Sequence, residues 1–179
     1  TTAAFLCLDI IDAVEEAVAN ARKAVHESTG IPEKNILFAA SHTHSGPRAP
    51  FTASTFRHSR SSDRMQTLLN DPIYQAWCEK LPETCANIVK QAQSALQPVS
   101  LSLGRANAAE WLFNRRPIDE NGNVVSTLHP ENPYALPDGL RFGIVDPTLT
   151  LLSLNGTDGK AVATLFSVPC HSVSIYPHH

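Results

Sequence analysis

The chain has 179 residues, 42% hydrophobic and 17% charged, which is length and apolar content enough for one globular domain with a core of its own. Its formal net charge is -3, and Arg57, Arg60 and Arg64 stand among serines rather than in a stripe, which excludes an electrostatic case for nucleic acid. No apolar run approaches the about 20 residues that a membrane-spanning helix needs, and no basic-then-apolar leader opens the sequence.

Residues 4 to 10, opening on Ala4-Phe5-Leu6-Cys7-Leu8, read as a buried strand. Ile11 to Ser28 then has helical spacing through Val14, Val18, Ala21 and Val25, with Asp12, Glu15 and Glu16 in the opening turns, where they suit the helix dipole. Gly30 ends that helix and Pro32 prevents its return. Asn35 to Ser41 holds a second apolar run of strand length, so the opening is a strand, helix, strand unit, the usual source of parallel neighbours in an α/β sheet. From Gly46 to about Asn70 the chain is polar and broken by Pro47 and Pro50, which predicts a long surface loop of the kind that carries function. Asp71-Pro72 starts a second helix through about Leu96, with Ile73, Trp77, Leu81, Ile88 and Ala92 on its apolar side and Pro82 as a point of kinking. Val99 to Gly104 alternates as a half-buried strand does. Asn114 to Asp138 is rich in Pro, Asn and Gly and is expected to be a second long loop. Two strands follow, Leu149 to Leu154 and Val162 to Val168, joined through Asn155-Gly156-Thr157-Asp158-Gly159, which is hairpin-turn chemistry.

The expected fold is therefore α/β, with mixed β-sheets and flanking helices, organised as a single domain over 1–179. Both ends read like the interior of a fold, so this domain is expected to be an incomplete portion of a larger catalytic domain. His178-His179 fit either native sequence or the stub of an affinity tag. The four cysteines, Cys7, Cys78, Cys85 and Cys170, show no CxxC pairing and no zinc-ribbon spacing. Buried free thiols are expected, and they leave the compartment open.

Ser41-His42-Thr43-His44-Ser45-Gly46-Pro47 is the most informative stretch. Histidines two apart on a strand point to one face, roughly 6 to 7 Å apart. Neutral imidazole is a common zinc ligand, and a catalytic zinc takes three protein ligands and keeps a position for water. Val168-Pro169-Cys170-His171 again puts a histidine at the carboxyl end of an apolar strand, and two strands that deliver histidines at corresponding ends are what a convergent site requires. His26 on a polar helix face, and His58 and His129 in loops, are expected to be solvated.

The segment from Asn35 to Pro47 resembles the signature of the neutral/alkaline (non-lysosomal) ceramidase family, an Asn-led apolar strand followed by Thr-His-Thr-His-Ser-Gly-Pro. Asn114-Arg115-Arg116 is similar to the family's Asn-Arg segment, and Val145-Asp146-Pro147 to its turn into the next strand. Asp158-Gly159-Lys160 through His171 is similar to the strand that carries its later histidine. The resemblance runs over most of the chain in the correct order. It implies a zinc amidase that hydrolyses the amide of N-acyl sphingosine, with a small-molecule or lipid amide as substrate, contact with a membrane surface, and an extracytoplasmic or secreted location. His42 and His171 would be metal ligands, His44 a catalytic residue in or next to the ligand shell, and Arg115 a substrate- or oxyanion-binding residue. The family's remaining ligands, a glutamate and a tyrosine, would lie beyond residue 179. Two departures fall at the pocket mouth: Arg48-Ala49-Pro50 replaces the usual Gly-Gly after Gly-Pro, and Ser172-Val173-Ser174 follows His171 in place of a Pro- or Gly-Thr-Ser.

Two other readings stand beside this one. An amidohydrolase-type barrel also carries His-x-His at a strand end, but it needs about 250 residues and places the pair on an early strand. A non-catalytic domain that kept the fold and lost the site is the alternative from a different class, and zinc content separates it from a hydrolase. The sequence leaves the oligomeric state open.

Overall fold

A computed structural model describes residues 1–48, 50, 62–125 and 136–171. The described residues form an α/β fold with mixed helices and several small sheets, as the hydropathy pattern predicts. They group into two compact units, Thr1–Leu96 with the segment beginning at His171, and Gln97–Cys170.

In the first unit, β1 (Ala4–Leu8) and β2 (Ile36–Ala40) pair in parallel with Ala4 opposite Ile36 and Leu8 opposite Ala40. The helix α1 (Glu15–Thr29) makes the crossover, as the strand, helix, strand reading requires. It starts without a side-chain cap, and Glu15 and Glu16 sit in the first turn, where their charge meets the positive end of the helix dipole. It stops at Gly30, whose φ of 73° is in the left-handed region that favours glycine; its N–H closes on the carbonyl of His26. The helix α2 (Ser62–Leu69) falls inside the stretch whose prolines and polar residues predict a loop. The helix α3 (Pro72–Ser94) is capped by Asp71, whose Oδ1 accepts from the N–H groups of Ile73 at 2.8 Å and Tyr74 at 3.3 Å, and it runs on through Pro82.

The apolar stripes of α1 and α3 meet one face of the two-stranded sheet. Leu6, Ile10, Val25, Ile36, Phe38, Leu81, Cys85 and Val89 belong to the resulting core. Arg22 Nε donates to the carbonyl of Ile36 at 2.9 Å, which ties α1 to β2, and Asn35 Nδ2 to that of Thr2 at 2.9 Å, which ties the start of β2 to the residues before β1. Strand β1 is not buried throughout, as its unbroken apolar run predicts. Its opposite face is open, with Phe5 62% exposed beside Leu37 at 51%. A run of apolar residues marks a strand but does not say whether one face or both are covered.

The same correction applies to the thiols. Cys7, Cys78 and Cys85 are free thiols, but only Cys85 is buried; Cys7 and Cys170 are exposed and Cys78 lies between. Burial pushes the Cys85 thiol up to about 11, and desolvation also raises Cys78 from its ordinary value.

The second unit holds an antiparallel sheet in the order β3 (Val99–Asn107), β6 (Thr148–Gly156), β7 (Ala161–Ser167). The β6–β7 turn uses Gly159 at φ 78°, and Asp158 Oδ1 accepts from the N–H of Lys160. A smaller antiparallel pair, β4 (Asn114–Ile118) with β5 (Arg141–Gly143), replaces part of the expected second loop. Large apolar side chains on the three-stranded sheet stay open, with Leu101 65%, Leu103 70% and Phe166 69% exposed. No helix among the described residues is long and apolar enough to cross a membrane.

Candidate metal centre

Strand β2 ends at Ala40, but its pairing with the first strand's extension continues: the N–H of Ser41 donates to the carbonyl of Leu8 at 3.0 Å and that of His42 to Ile10 at 3.1 Å. His42 then leaves the extended region, with φ at 61°, the single non-glycine residue of positive φ among those described. A side chain in that region costs about 1–3 kcal/mol and persists where the surroundings over-determine it. His42 and His44 therefore do not share a strand face by alternation. The backbone turn at His42 folds the pair together instead, with ring centroids 5.3 Å apart and planes at 88°.

Two features lock this turn. Thr43 Oγ1 accepts from the N–H of Ser45 at 3.2 Å. Gly46 lies so close to the backbone carbonyl of Asp9 that a Cβ would collide with it, and would also stand 2.8 Å from the Thr43 Cγ2. Gly46→Ala is therefore expected to push the loop off the β1 end. The overpacking cost is about 1–3 kcal/mol, and it should appear as a lower Tm and as weaker affinity for any divalent metal that the histidines take up, read by isothermal titration. Unchanged affinity would mean that the loop does not position the histidines.

His171 completes the group. Its ring lies 4.5 Å from that of His42 and 5.1 Å from that of His44, centroid to centroid. One ring nitrogen from each of His42, His44 and His171 lies within 4.8 Å of the others, and all three residues are exposed. These three residues could hold a metal ion. A tetrahedral zinc with Zn–N of about 2.0–2.1 Å sets its nitrogens roughly 3.3 Å apart. Drawing the rings in by about 1.5 Å at most is within the rotamer freedom of exposed side chains.

The donor chemistry also fits. The Nδ1 of His42 faces the backbone carbonyl of Ile11 within hydrogen-bonding reach. A carbonyl only accepts, so Nδ1 carries the proton and Nε2 keeps a lone pair for a metal, the orientation by an outer partner that ligating imidazoles commonly have.

His44 differs from the other two in what it faces. It lines a cavity of about 860 Å³ together with Ile11, Thr43, Gly46, Pro47, Arg48, Thr67, Leu68, Asp71, Ile73, Tyr74 and Trp77. The Tyr74 and Trp77 rings stack with centroids 6.0 Å apart. Sequence reasoning places Trp77 on the apolar side of α3 but not in a cavity, and a helix-face pattern alone does not distinguish core from pocket wall.

Arg115, the remaining residue assigned to the site, is exposed on strand β4 of the second unit, not in a loop. Its neighbour Asn114 is structural: Nδ2 donates to the carbonyl of Ile144 at 3.1 Å and Oδ1 accepts from the N–H of Arg116 at 3.0 Å. In the turn before β6, Asp146 is held below the usual carboxylate range by hydrogen bonds from Thr148, side chain and backbone. His26, expected to be only solvated, donates from Nδ1 to the carbonyl of Ile31 at 3.0 Å and fastens the end of α1. His58, His129, His178 and His179 lie outside the described residues, as do Ala49 and Ser172-Val173-Ser174.

No protein-family model matches the chain, and no curated protein matches it. Among solved structures it is similar to the neutral ceramidase from Pseudomonas aeruginosa, with a TM-score of 0.57 and 17% identity, covering 98% of this chain and 25% of that one. It is similar also to a ceramidase complexed with C2, with a TM-score of 0.57 and 18% identity, covering 94% of this chain and 23% of that one. The chain thus spans about a quarter of the length of these structures. At such identities the likeness is one of fold, and the fold is ceramidase-like.

Proposed function

We propose that the chain carries part of the metal centre of a zinc-dependent amide hydrolase of the ceramidase kind. The observation that carries this reading is the meeting of His42, His44 and His171, with ring nitrogens within 4.8 Å, in a chain whose fold is ceramidase-like. His42 and His171 would hold the ion, His42 through the Nε2 that its bond to Ile11 leaves free. A zinc ion held there supplies Lewis acidity toward an amide carbonyl and activates water near neutral pH. His44 would take a proton from the attacking water and return one to the departing amine, a role supported by its lying on the cavity wall as well as in the cluster. Trp77, backed by the buried ring of Tyr74, and the exposed Ile73 beside it would give an apolar chain a surface to lie on. The substrate in this reading is a small-molecule or lipid N-acyl amide with an apolar chain, N-acyl sphingosine first among them.

The test is turnover of an N-acyl sphingosine by the full-length protein, with and without chelator. Hydrolysis should disappear when the metal is removed and return with zinc. Full activity after metal removal, or activity on phosphoesters only, would overturn the reading.

For Arg115 a part in turnover rests on the sequence resemblance. Arg115→Ala should then lower kcat by about 10²- to 10³-fold, the scale of one lost transition-state donor, while zinc content and Tm stay close to wild type. An unchanged rate would remove Arg115 from the reaction, and a large fall in Tm would make it structural.

A further inference from the structure

We propose that the cavity beside His44 takes an amphipathic anion: its apolar chain lies along Trp77 and Ile73, and its carboxylate meets Arg48. The proposal rests on the hydrolase reading for the amide to be cleaved, but not for the binding itself.

At about 860 Å³ the cavity is of the size that holds a small-molecule ligand, and its walls have the usual make-up of such sites, mostly apolar with a few polar groups. Ile73 lies in the wall and is 80% exposed, so a ligand's apolar chain laid against it would take that aliphatic surface out of water. The charges on this wall are unequal in their freedom. Asp71 is committed, since its Oδ1 accepts from two N–H groups at the start of α3 and its negative charge sits against the positive end of that helix. Arg48 is not. The ion pairs among the described residues are Lys23–Glu27 and Lys160–Asp158, and neither involves it. A guanidinium offers a carboxylate two parallel N–H donors, a match that a hydroxyl headgroup does not make. An N-acyl amino acid fills this arrangement: chain along Trp77 and Ile73, carboxylate on Arg48, amide between them toward His44.

The deciding experiment uses two probes that differ only in the headgroup, N-dodecanoylglycine and N-dodecanoylethanolamine. Each is titrated below its micellar concentration into the full-length protein with metal chelated, so that zinc cannot itself take up the carboxylate, and binding is followed by tryptophan fluorescence. The glycine compound is expected to bind at least about 10-fold more tightly, the scale of hydrogen bonds to a charged group. Arg48→Gln should bring the two to within about 3-fold, and Arg48→Lys should restore part of the difference, because a point charge keeps attraction but not the bidentate geometry. Equal binding by the wild type, or a preference that survives Arg48→Gln, would overturn the proposal. Turnover of the same pair by the zinc-loaded protein separates the two readings. A binding preference with no hydrolysis of this pair or of N-acyl sphingosine sustains the anion site and sinks the hydrolase; hydrolysis of both with no preference does the reverse.

Discussion

His42→Ala and His171→Ala are each expected to abolish stoichiometric zinc binding, whereas His44→Ala is expected to keep the zinc and lose the reaction. The asymmetry follows from surroundings. His42 is held by the carbonyl of Ile11 on one nitrogen, and its ring lies 4.5 Å from that of His171, centroid to centroid. Losing even the outer partner of a ligating histidine commonly costs about 10–100-fold in metal affinity, so losing the ligand itself should exceed that. His44 also lines the cavity, where an amide would lie, and a positioned acid-base group contributes about 10²–10⁴-fold to rate. Metal analysis of the three variants, paired with kcat on an N-acyl sphingosine, reads both quantities. Zinc lost in all three variants would make His44 a ligand equal to the others. Zinc kept in all three would end the metal reading of this cluster. Since all three residues are exposed, none of the substitutions opens a core cavity; in the metal-free state Tm should barely move for His44→Ala and His171→Ala and should fall modestly for His42→Ala, which also gives up the bond to Ile11.

What the sequence disclosed and what it hid divide along physical lines. The β1–α1–β2 unit was legible because its signals are local and redundant: helical spacing, Gly30 at the left-handed stop, Pro32 beyond it, and apolar runs of strand length. Asp71-Pro72 announced α3 for the same reason. By contrast α2 is eight residues of mostly polar character behind a proline-broken stretch, and so carries little periodic signal. The pair β4–β5 was hidden more deeply. The five residues of β4 include Pro117, which strands admit chiefly at edges, and β5 has three residues. Their antiparallel pairing is reinforced by a side chain, Asn114 bonding to Ile144, and such bonds leave no pattern in hydropathy.

The candidate site shows the same division. His-x-His with a later histidine could be read as a constellation because residue type and strand-end position are both written in the chain. The route to convergence could not. Alternation on a strand predicts one spacing, and the structure reaches a tighter cluster through a left-handed backbone turn at His42. The fastening of that turn to β1 depends on backbone atoms, the carbonyls of Asp9, Ile10 and Ile11, which no residue letter reveals. Ile73, Trp77 and Leu81 are legible as one apolar helix face, and only the fold shows that Leu81 packs in the core while Ile73 lines the cavity and Trp77 touches both.

Ile36→Ala is expected to lower the stability of the first unit by about 2–5 kcal/mol, more than any substitution in the cluster, and to leave the zinc site's chemistry intact in the fraction that stays folded. Ile36 is 1% exposed, opens β2, and packs where α1, α3 and β1 meet. Truncation there removes three carbons from a site pinned on several sides, and the pairing of Ala4 with Ile36 and the bond from Arg22 to the Ile36 carbonyl resist collapse of the backbone into the void. Costs in the upper part of that range belong to sites that cannot relax. Chemical denaturation should show the loss as a lower midpoint with the slope m unchanged, since the surface exposed on unfolding is nearly the same. Zinc affinity measured well below the variant's Tm should stay within a few-fold of wild type, because the bonds that set the histidines run from the far end of β2 to Leu8, Ile10 and Ile11. A zinc affinity that fell in step with stability would show instead that the site and this core are one cooperative structure, so that the metal ligands are held in place by packing at Ile36 as much as by the turn at His42.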